Sequence, residues 1–545
     1  MKIKLINCKI VDGTGNNTYV GDILIENERI VKIGDCGDME ADHIINADGY
    51  YAAPGFIDVH THSDLSVLYD GSAENRIYDG VTTDVCGNCG VGPAPVSKKY
   101  KDELMSYLKT RMVGNIDADL DFHWESYEEY LNYMEAKDIA VNMVPILAEG
   151  AVRISTMGLE QREATQEELE TMKREVRKAM EAGAVGMSSG LIYLPGAYVP
   201  KEEMIELCKV VAEYDGFYTT HVRDEGDKEE EAFKEAFQVA KASGARLNIS
   251  HLKLLGKQNH NKTGKIFKLI AEAKDSGLCV TCDQHPYNTA MTSLLAMLPP
   301  WASNGGMKNL LNIIQMPKEQ EKMMHDINNG ILGWQNVLKA IGGFKHLIIS
   351  TIVKEENKWM EGKRMSDIAR KLNISNEELF FKLLLEDEAR TLVIVEGLSQ
   401  EDVEIIASRP EIMIGSDSAT LSKNGPLSKG KPHPRGYGSY AHFLKNFVRE
   451  KKIISLETAI RKMTALAAEH LHIKDRGYLK EGYFADIVVF NLDKIKDNAT
   501  ITNPREYSSG FEYVLVNGKL ALENGIQTSE RAGKVLRRDN SKFIS

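Results

Sequence analysis

Between residues 54 and 417 the chain alternates short apolar runs with longer amphipathic stretches, and eight of those runs have strand character: 56–60, 81–85, 139–146, 184–187, 217–221, 246–251, 278–283 and 412–417. They are short and near-continuously apolar, so they read as strands covered on both faces. The stretches between them carry the helical period. Thr165-Gln-Glu-Glu168 is a capping box, after which Leu169, Met172, Val176 and Met180 keep one face apolar until Gly183. Residues 228–243 repeat the pattern with Ala232, Phe233, Ala236, Phe237 and Ala240 before Gly244, and residues 266–273 do so before Gly277. Strand alternating with helix makes successive strands parallel. Eight such units favour a closed (β/α)8 TIM barrel, of α/β class, over an open doubly wound sheet.

The flanks lack this rhythm. Residues 2–11, 22–26 and 30–33 are β-type runs split by turn residues, and β character returns beyond a helix predicted over 456–471, in 475–490, 513–517 and 520–523. Both termini are therefore expected to build one small β-sandwich, from residues 1–52 and 480–545, around a barrel spanning 53–479. Residues 303–410 break the spacing and read as an insertion before the last barrel strand. The charged tail from about residue 528 is expected to be poorly ordered.

Composition narrows the partners. A chain of 545 residues, 43% of them hydrophobic, can bury a large core and a second domain. A net charge of −12 argues against nucleic acid or an anionic membrane as partner, but leaves room for a basic pocket and an anionic small molecule. Met1-Lys-Ile-Lys-Leu-Ile-Asn-Cys8 has no secretory pattern and no apolar run matches a bilayer, so a cytoplasmic location is expected; oligomeric state is left open. Seven cysteines without a secretory signal do not suggest a disulfide framework. Cys279 and Cys282 face opposite sides of a predicted strand and read as core residues.

The chemistry gathers at strand ends. His60 and His62 are two apart, so both imidazoles face one side of the first strand at its C-terminal end, where barrel enzymes keep their active sites. His221, His251 and Asp417 each terminate a further apolar run. Each alone is as easily a hydrogen-bonded strand end as a ligand. Four such ends in a barrel converge on one mouth, and His with carboxylate is a donor set for a metal. Cys89, in Val85-Cys-Gly-Asn-Cys89-Gly, follows the second strand; its spacing by itself fits a buried free thiol or a redox pair with Cys86 at least as well as a ligand.

The chain resembles the amidohydrolase superfamily from end to end. Pro54-Gly-Phe-Ile-Asp-Val-His60-Thr-His62-Ser-Asp64 is similar to its opening metal motif, and Asp475-Arg-Gly-Tyr-Leu-Lys-Glu-Gly-Tyr-Phe-Ala-Asp486 to its closing one. Gly87-Asn-Cys89-Gly with Pro93-Ala-Pro95, Ser189-Gly-Leu-Ile-Tyr193-Leu-Pro195-Gly196, Ser250-His251-Leu-Lys253 and His433-Pro-Arg435-Gly-Tyr437-Gly438 resemble the N-acyl-D-amino-acid deacylase (D-aminoacylase) branch. The resemblance implies a tightly held Zn2+ on Cys89, His221 and His251, a second, weaker site on His60, His62 and Asp417, and Asp417 as the proton carrier. The expected substrate is a small-molecule N-acyl-D-amino acid, its carboxylate gripped by Arg435 with help from Lys253 and Tyr193.

Two departures bear on the substrate. Relatives commonly read Tyr-Pro-Tyr and then a serine where this chain has His285-Pro286-Tyr287 and then Met291, positions expected beside the substrate pocket. Residues 418–431 lengthen the path from Asp417 to Arg435 and read as a specificity loop or lid. The competing readings are a cyclic-amide hydrolase of the hydantoinase or dihydroorotase kind, or a dipeptidase, of the same superfamily. A non-catalytic scaffold is disfavoured by the six candidate ligands.

Overall fold

A computed structural model describes residues 1–111 and 121–539. Its centre is a barrel of eight parallel strands: Phe56–Asp58, Val81–Cys86, the interrupted strand Asn142–Pro145 and Leu147–Ala148, Gly186–Gly190, Phe217–His221, Arg246–Ile249, Val280–Gln284 and Ile412–Ile414. Each pairs in parallel with the next, for example Thr83 with Asn142, Phe217 with Arg246 and Cys282 with Ile412. The ring closes just past the last strand. The Asp417 amide donates to the His60 carbonyl at 2.8 Å, and the His62 amide to the Ser418 carbonyl at 2.9 Å. Closure leaves the barrel no sheet edge and sets the ends of the first and eighth strands side by side.

The helices form where their end signals stand. Thr165 and Glu168 make the reciprocal capping box of Gln166–Ala182, and Gly183 ends that helix in the left-handed region at φ 110°. The helix predicted over 456–471 is instead two, Leu456–Met463 and Ala465–Leu471. Thr464 sits at the break, at φ −135° and ψ −87°, and its hydroxyl donates to the Ile460 carbonyl at 2.7 Å, a local bond that competes with the helical ladder.

Strands from both termini join one nine-stranded sheet, meeting where Tyr51–Pro54 pairs antiparallel with Ile487–Phe490. Ile3, Leu5, Ile23, Ile487, Val489 and Leu515 share a core of their own, whereas the alternate residues Val488, Phe490, Val514 and Val516 belong to the barrel's core. The period-2 alternation thus gives the sheet one face for itself and one for the barrel. A further core lies in the insertion, around an antiparallel sheet of Thr289–Ser293, Leu347–Thr351 and Leu392–Glu396. That sheet starts at residue 289, ahead of the break in spacing, because its first strand follows the seventh barrel strand almost directly. The helix Gln400–Ala407 then leads into the eighth barrel strand.

The tail departs from expectation. As far as Asp539 it lies against the base of the barrel: the Met143 amide donates to the Lys534 carbonyl at 2.8 Å, and the Leu536 amide to the Met143 carbonyl at 2.7 Å. Val535 is buried and Leu536 packs on a barrel cluster, so two apolar residues anchor a stretch whose charges suggested disorder. Residues 540–545 of that tail lie outside the described residues. Cys282 is buried as expected, but Cys279 is exposed, because it precedes the strand Val280–Gln284 rather than lying in it. Among the described residues no helix is long and apolar enough to cross a membrane.

One buried charge gives a test of stability. Lys462 is wholly buried; its ammonium donates to the Ala407 carbonyl at the end of Gln400–Ala407 and lies 5.1 Å from the Phe443 ring centroid. Burial pushes its pKa down to about 7. Between pH 7 and its ordinary range near 10 the unfolded chain binds the proton that the folded one does not, so stability rises with pH across that window. Lys462→Met is expected to raise stability at pH 7 by about 1–3 kcal/mol and to flatten the rise. Urea denaturation at pH 7 and 9.5 checks it; equal pH slopes for both proteins would refute the assignment.

Candidate active site

Short strands deliver the donors and the turns after them aim the side chains. His60 and His62 follow Phe56–Asp58, Cys89 follows Val81–Cys86, His221 ends its strand, His251 follows Arg246–Ile249, and Asp417 follows Ile412–Ile414. Cys89, His251 and Asp417 have φ of 54°, 36° and 50°, in the left-handed region that costs a non-glycine residue on the order of 1–3 kcal/mol. Surrounding bonds hold that strain: the His251 amide donates to Asp283 Oδ1 at 2.8 Å, and the Gly90 amide to Ser188 Oγ at 2.9 Å. Gly87, at φ 94°, permits the turn to Cys89, since a Cβ there would sit 1.9 Å from the Ile146 carbonyl oxygen.

The donor atoms converge. Cys89 Sγ lies 3.3 Å from His60 Nε2, 3.4 Å from His251 Nε2 and 3.9 Å from His221 Nδ1. Ligands bound at 2.0–2.3 Å around one tetrahedral zinc stand about 3.3–3.8 Å apart, so Sγ, His60 Nε2 and His251 Nε2 have the spacing of a shared ion, while His221 Nδ1 stands just beyond it. Beside them, His62 Nε2 is 3.1 Å and His60 Nε2 3.8 Å from Asp417 Oδ1, bringing the second predicted set together as well. His60 Nε2 faces both sets, and its Nδ1 is 3.3 Å from Asp283 Oδ1.

Burial alone would push the Cys89 thiol up, but the imidazoles of His60 and His251 outweigh it and hold Cys89 well below the usual thiol range. Asp417 follows the same logic: burial opposes its charge, while the Arg435 guanidinium and the His62 bond hold it well below the usual carboxylate range.

Glu225 was missed in the sequence. It is buried, with Oε2 3.3 Å from His221 Nε2 and Oε1 3.1 Å from His251 Nδ1. It thus occupies the outer nitrogens of the two rings whose inner nitrogens face Cys89, the arrangement by which an outer carboxylate orients metal-binding histidines. The available signal was its place four residues after His221; amid Asp224, Asp227 and Glu229 to Glu231 it reads as the acidic start of a helix.

The residues assigned to substrate divide. Tyr193, Arg435 and Met291 line the pocket that opens on His62, Cys89 and Asp417. Arg435 is buried, with Nη1 2.9 Å from Asp417 Oδ2 and its Nε without a partner among the described residues. Lys253 turns behind His251: its ammonium meets Glu225 at 2.5 Å and His251 Nδ1 at 2.7 Å. His285 is buried with neither ring nitrogen partnered among the described residues; burial and the nearby Arg435 charge hold it well below the usual histidine range, so it stays neutral. Tyr287 is not among the lining residues; its hydroxyl donates to the Gly438 carbonyl at 3.2 Å and its ring stacks on His442. The 418–431 loop is tied down: the Lys431 amide donates to the Ser350 carbonyl at 2.8 Å, Lys423 pairs with Glu506 at 2.7 Å, and Arg505 donates to the Ser428 carbonyl at 2.7 Å. It bridges barrel, insertion and C-terminal segment.

This geometry has counterparts among known proteins. The amidohydrolase family model matches residues 43–295 and 426–521. An N-acyl-D-glutamate deacylase of Alcaligenes xylosoxydans xylosoxydans is 30% identical, over 98% of this chain and 96% of that protein, and a D-aminoacylase of the same organism is 29% identical over 97% and 96%. The crystal structure of an N-acyl-D-glutamate deacylase from Bordetella bronchiseptica, complexed with zinc and a phosphonate mimic of the tetrahedral intermediate, superposes with a TM-score of 0.82 at 28% identity, covering 98% of this chain and 99% of that one. Matched by the family model over more than half its length, and by these relatives from end to end, the chain belongs to the amidohydrolase family, in its N-acyl-D-amino-acid deacylase branch.

Proposed function

We propose that the protein is a zinc-dependent deacylase that hydrolyses the linear amide of N-acyl-D-amino acids to a carboxylate and a free D-amino acid. The observation that carries it is the convergence of Cys89 Sγ with the His60, His221 and His251 ring nitrogens, beside His62 and Asp417, at one barrel mouth. Cys89, His221 and His251 would hold the tighter zinc, with Glu225 accepting from the outer nitrogens of the two rings and Lys253 pairing with Glu225; His60, His62 and Asp417 would offer a weaker second site. A zinc held there lowers the pKa of water toward neutrality and polarises the amide carbonyl.

The chain supplies the rest. Asp417, kept ionised by Arg435 and His62, removes a proton from the attacking water and returns it to the amide nitrogen as the C–N bond breaks. One water is consumed; the acyl carbon keeps its oxygen and the amine leaves with the proton. Arg435 presents its guanidinium edge beside Asp417, placing the amino-acid carboxylate one carbon from the reacting nitrogen. The buried, neutral His285 stands near the same charges but, like Tyr287, does not line the pocket. A thiolate among the donors, where the hydantoinase kind uses a bridging lysine, favours the linear-amide reading over the cyclic one. The full donor set speaks against a scaffold.

The test is amine release from paired N-acetyl-D- and N-acetyl-L-amino acids by protein of known zinc content. Turnover confined to D-forms is expected, lost on treatment with a strong chelator and regained with zinc. Equal turnover of L-forms, or none from zinc-loaded protein, would overturn the proposal.

A further inference from the structure

Among the described residues three cations face or back the candidate active site, and two are already matched by carboxylates: Arg435 by Asp417 at 2.9 Å and Lys253 by Glu225 at 2.5 Å. The third is Arg111, which follows the helix Lys101–Lys109 and lines the same pocket as His62, Cys89 and Asp417. Its guanidinium lies over the Tyr193 ring, 3.7 Å from the centroid, with Tyr107 on another side at 5.9 Å. Its Nε is buried with no hydrogen-bond partner, and no carboxylate pairs with it among the described residues. A partly buried cation stacked on one tyrosine ring and bonded to the side chain of another, Tyr107, still has no carboxylate against its charge among the described residues and leaves its Nε unmatched, a cost that an anionic ligand would relieve. Stacking uses the face of the guanidinium; at its edge, which forks onto carboxylates, the Nε has no partner among the described residues.

Its position says which anion. Arg435 touches Asp417 directly, whereas Arg111 is set back from the donors by the Tyr193 ring, itself 4.8 Å from the His221 ring. The α-carboxylate of an N-acyl amino acid is one carbon from the scissile nitrogen and suits the nearer cation; a carboxylate at the end of the side chain reaches the farther one. We infer that Arg111 binds a second carboxylate of the substrate, borne on the amino-acid side chain, so that the preferred substrates are N-acyl derivatives of D-aspartate or D-glutamate. The inference rests on the deacylase reading above. Overall identity does not decide the point, since the relatives at 29–30% include both an N-acyl-D-glutamate deacylase and a D-aminoacylase.

The experiment compares kcat/KM for N-acetyl-D-glutamate, N-acetyl-D-aspartate and N-acetyl-D-leucine in the zinc-loaded wild type, Arg111→Ala and Arg111→Gln. The wild type is expected to favour an acidic substrate over leucine. Both variants are expected to lower that ratio by about 10–100-fold, chiefly through KM of the acidic substrate. Turnover of the leucine substrate reports a folded site in the same preparation, and Arg111→Gln keeps a planar group on Tyr193 should the alanine variant not fold. A wild type that prefers leucine, or a ratio within threefold of wild type in the variants, would overturn the inference and leave the deacylase reading standing. A zinc-loaded wild type that cleaves none of the three would sink both.

Discussion

Cys89→Ala is expected to reduce copurifying zinc from about one equivalent to under about a tenth, and to cut kcat/KM by about 10³-fold or more. Sγ is the atom on which the ring nitrogens of His60, His221 and His251 converge, and it is the anionic donor among them. Without it, the neutral imidazoles remain, with Asp417 committed to Arg435 and His62. Inductively coupled plasma mass spectrometry on dialysed protein reads the zinc directly, independent of turnover. Cys86→Ala is the control: Cys86 is buried beside the Val144 carbonyl, away from the donors, and that variant should keep its zinc. Normal zinc in Cys89→Ala would remove the thiol from the ligand set and return it to a buried free cysteine.

Asp417→Asn is expected to lower kcat by about 10²–10⁴-fold while the tighter zinc is retained, because the amide keeps the shape but cannot carry the proton from water to the leaving nitrogen. The substitution leaves Cys89, His221, His251 and their Glu225 support untouched. Steady-state kinetics with a parallel zinc determination separates the two roles. A kcat within tenfold of wild type would deny Asp417 the proton transfer. Lost zinc together with lost activity would instead place Asp417 in the tighter set.

Five of the six candidate ligands, His60, His62, His221, His251 and Asp417, were legible in the sequence because each stands at the end of an apolar run, and parallel strands in a barrel present all their C-terminal ends on one side. His60 and His62 needed only the two-residue period of a strand. The helices ended where Thr165, Gly183 and Gly244 carry their local signals, since capping depends on a few neighbouring residues. Cys89 was ambiguous from spacing and became a ligand candidate only through resemblance, because it lies in the turn Asn88–Gly90 beyond its strand, three residues after a second cysteine with which it could as well form a redox pair.

Tertiary structure decided whatever depends on partners distant in sequence. Lys253, read as a substrate residue, is drawn behind His251 by Glu225, 28 residues away. Arg435 reaches the pocket already paired with Asp417, and the 418–431 loop, open as a lid on sequence grounds, is tied to Ser350, Arg505 and Glu506. Arg111 had no motif at all; its meaning arises because the Tyr193 ring, 82 positions on, covers its face and no carboxylate among the described residues covers its edge. Local sequence sets strand ends, periods and caps because those are short-range preferences. Whether a buried charge is matched or left for a substrate is settled only when the barrel closes and excludes water around it.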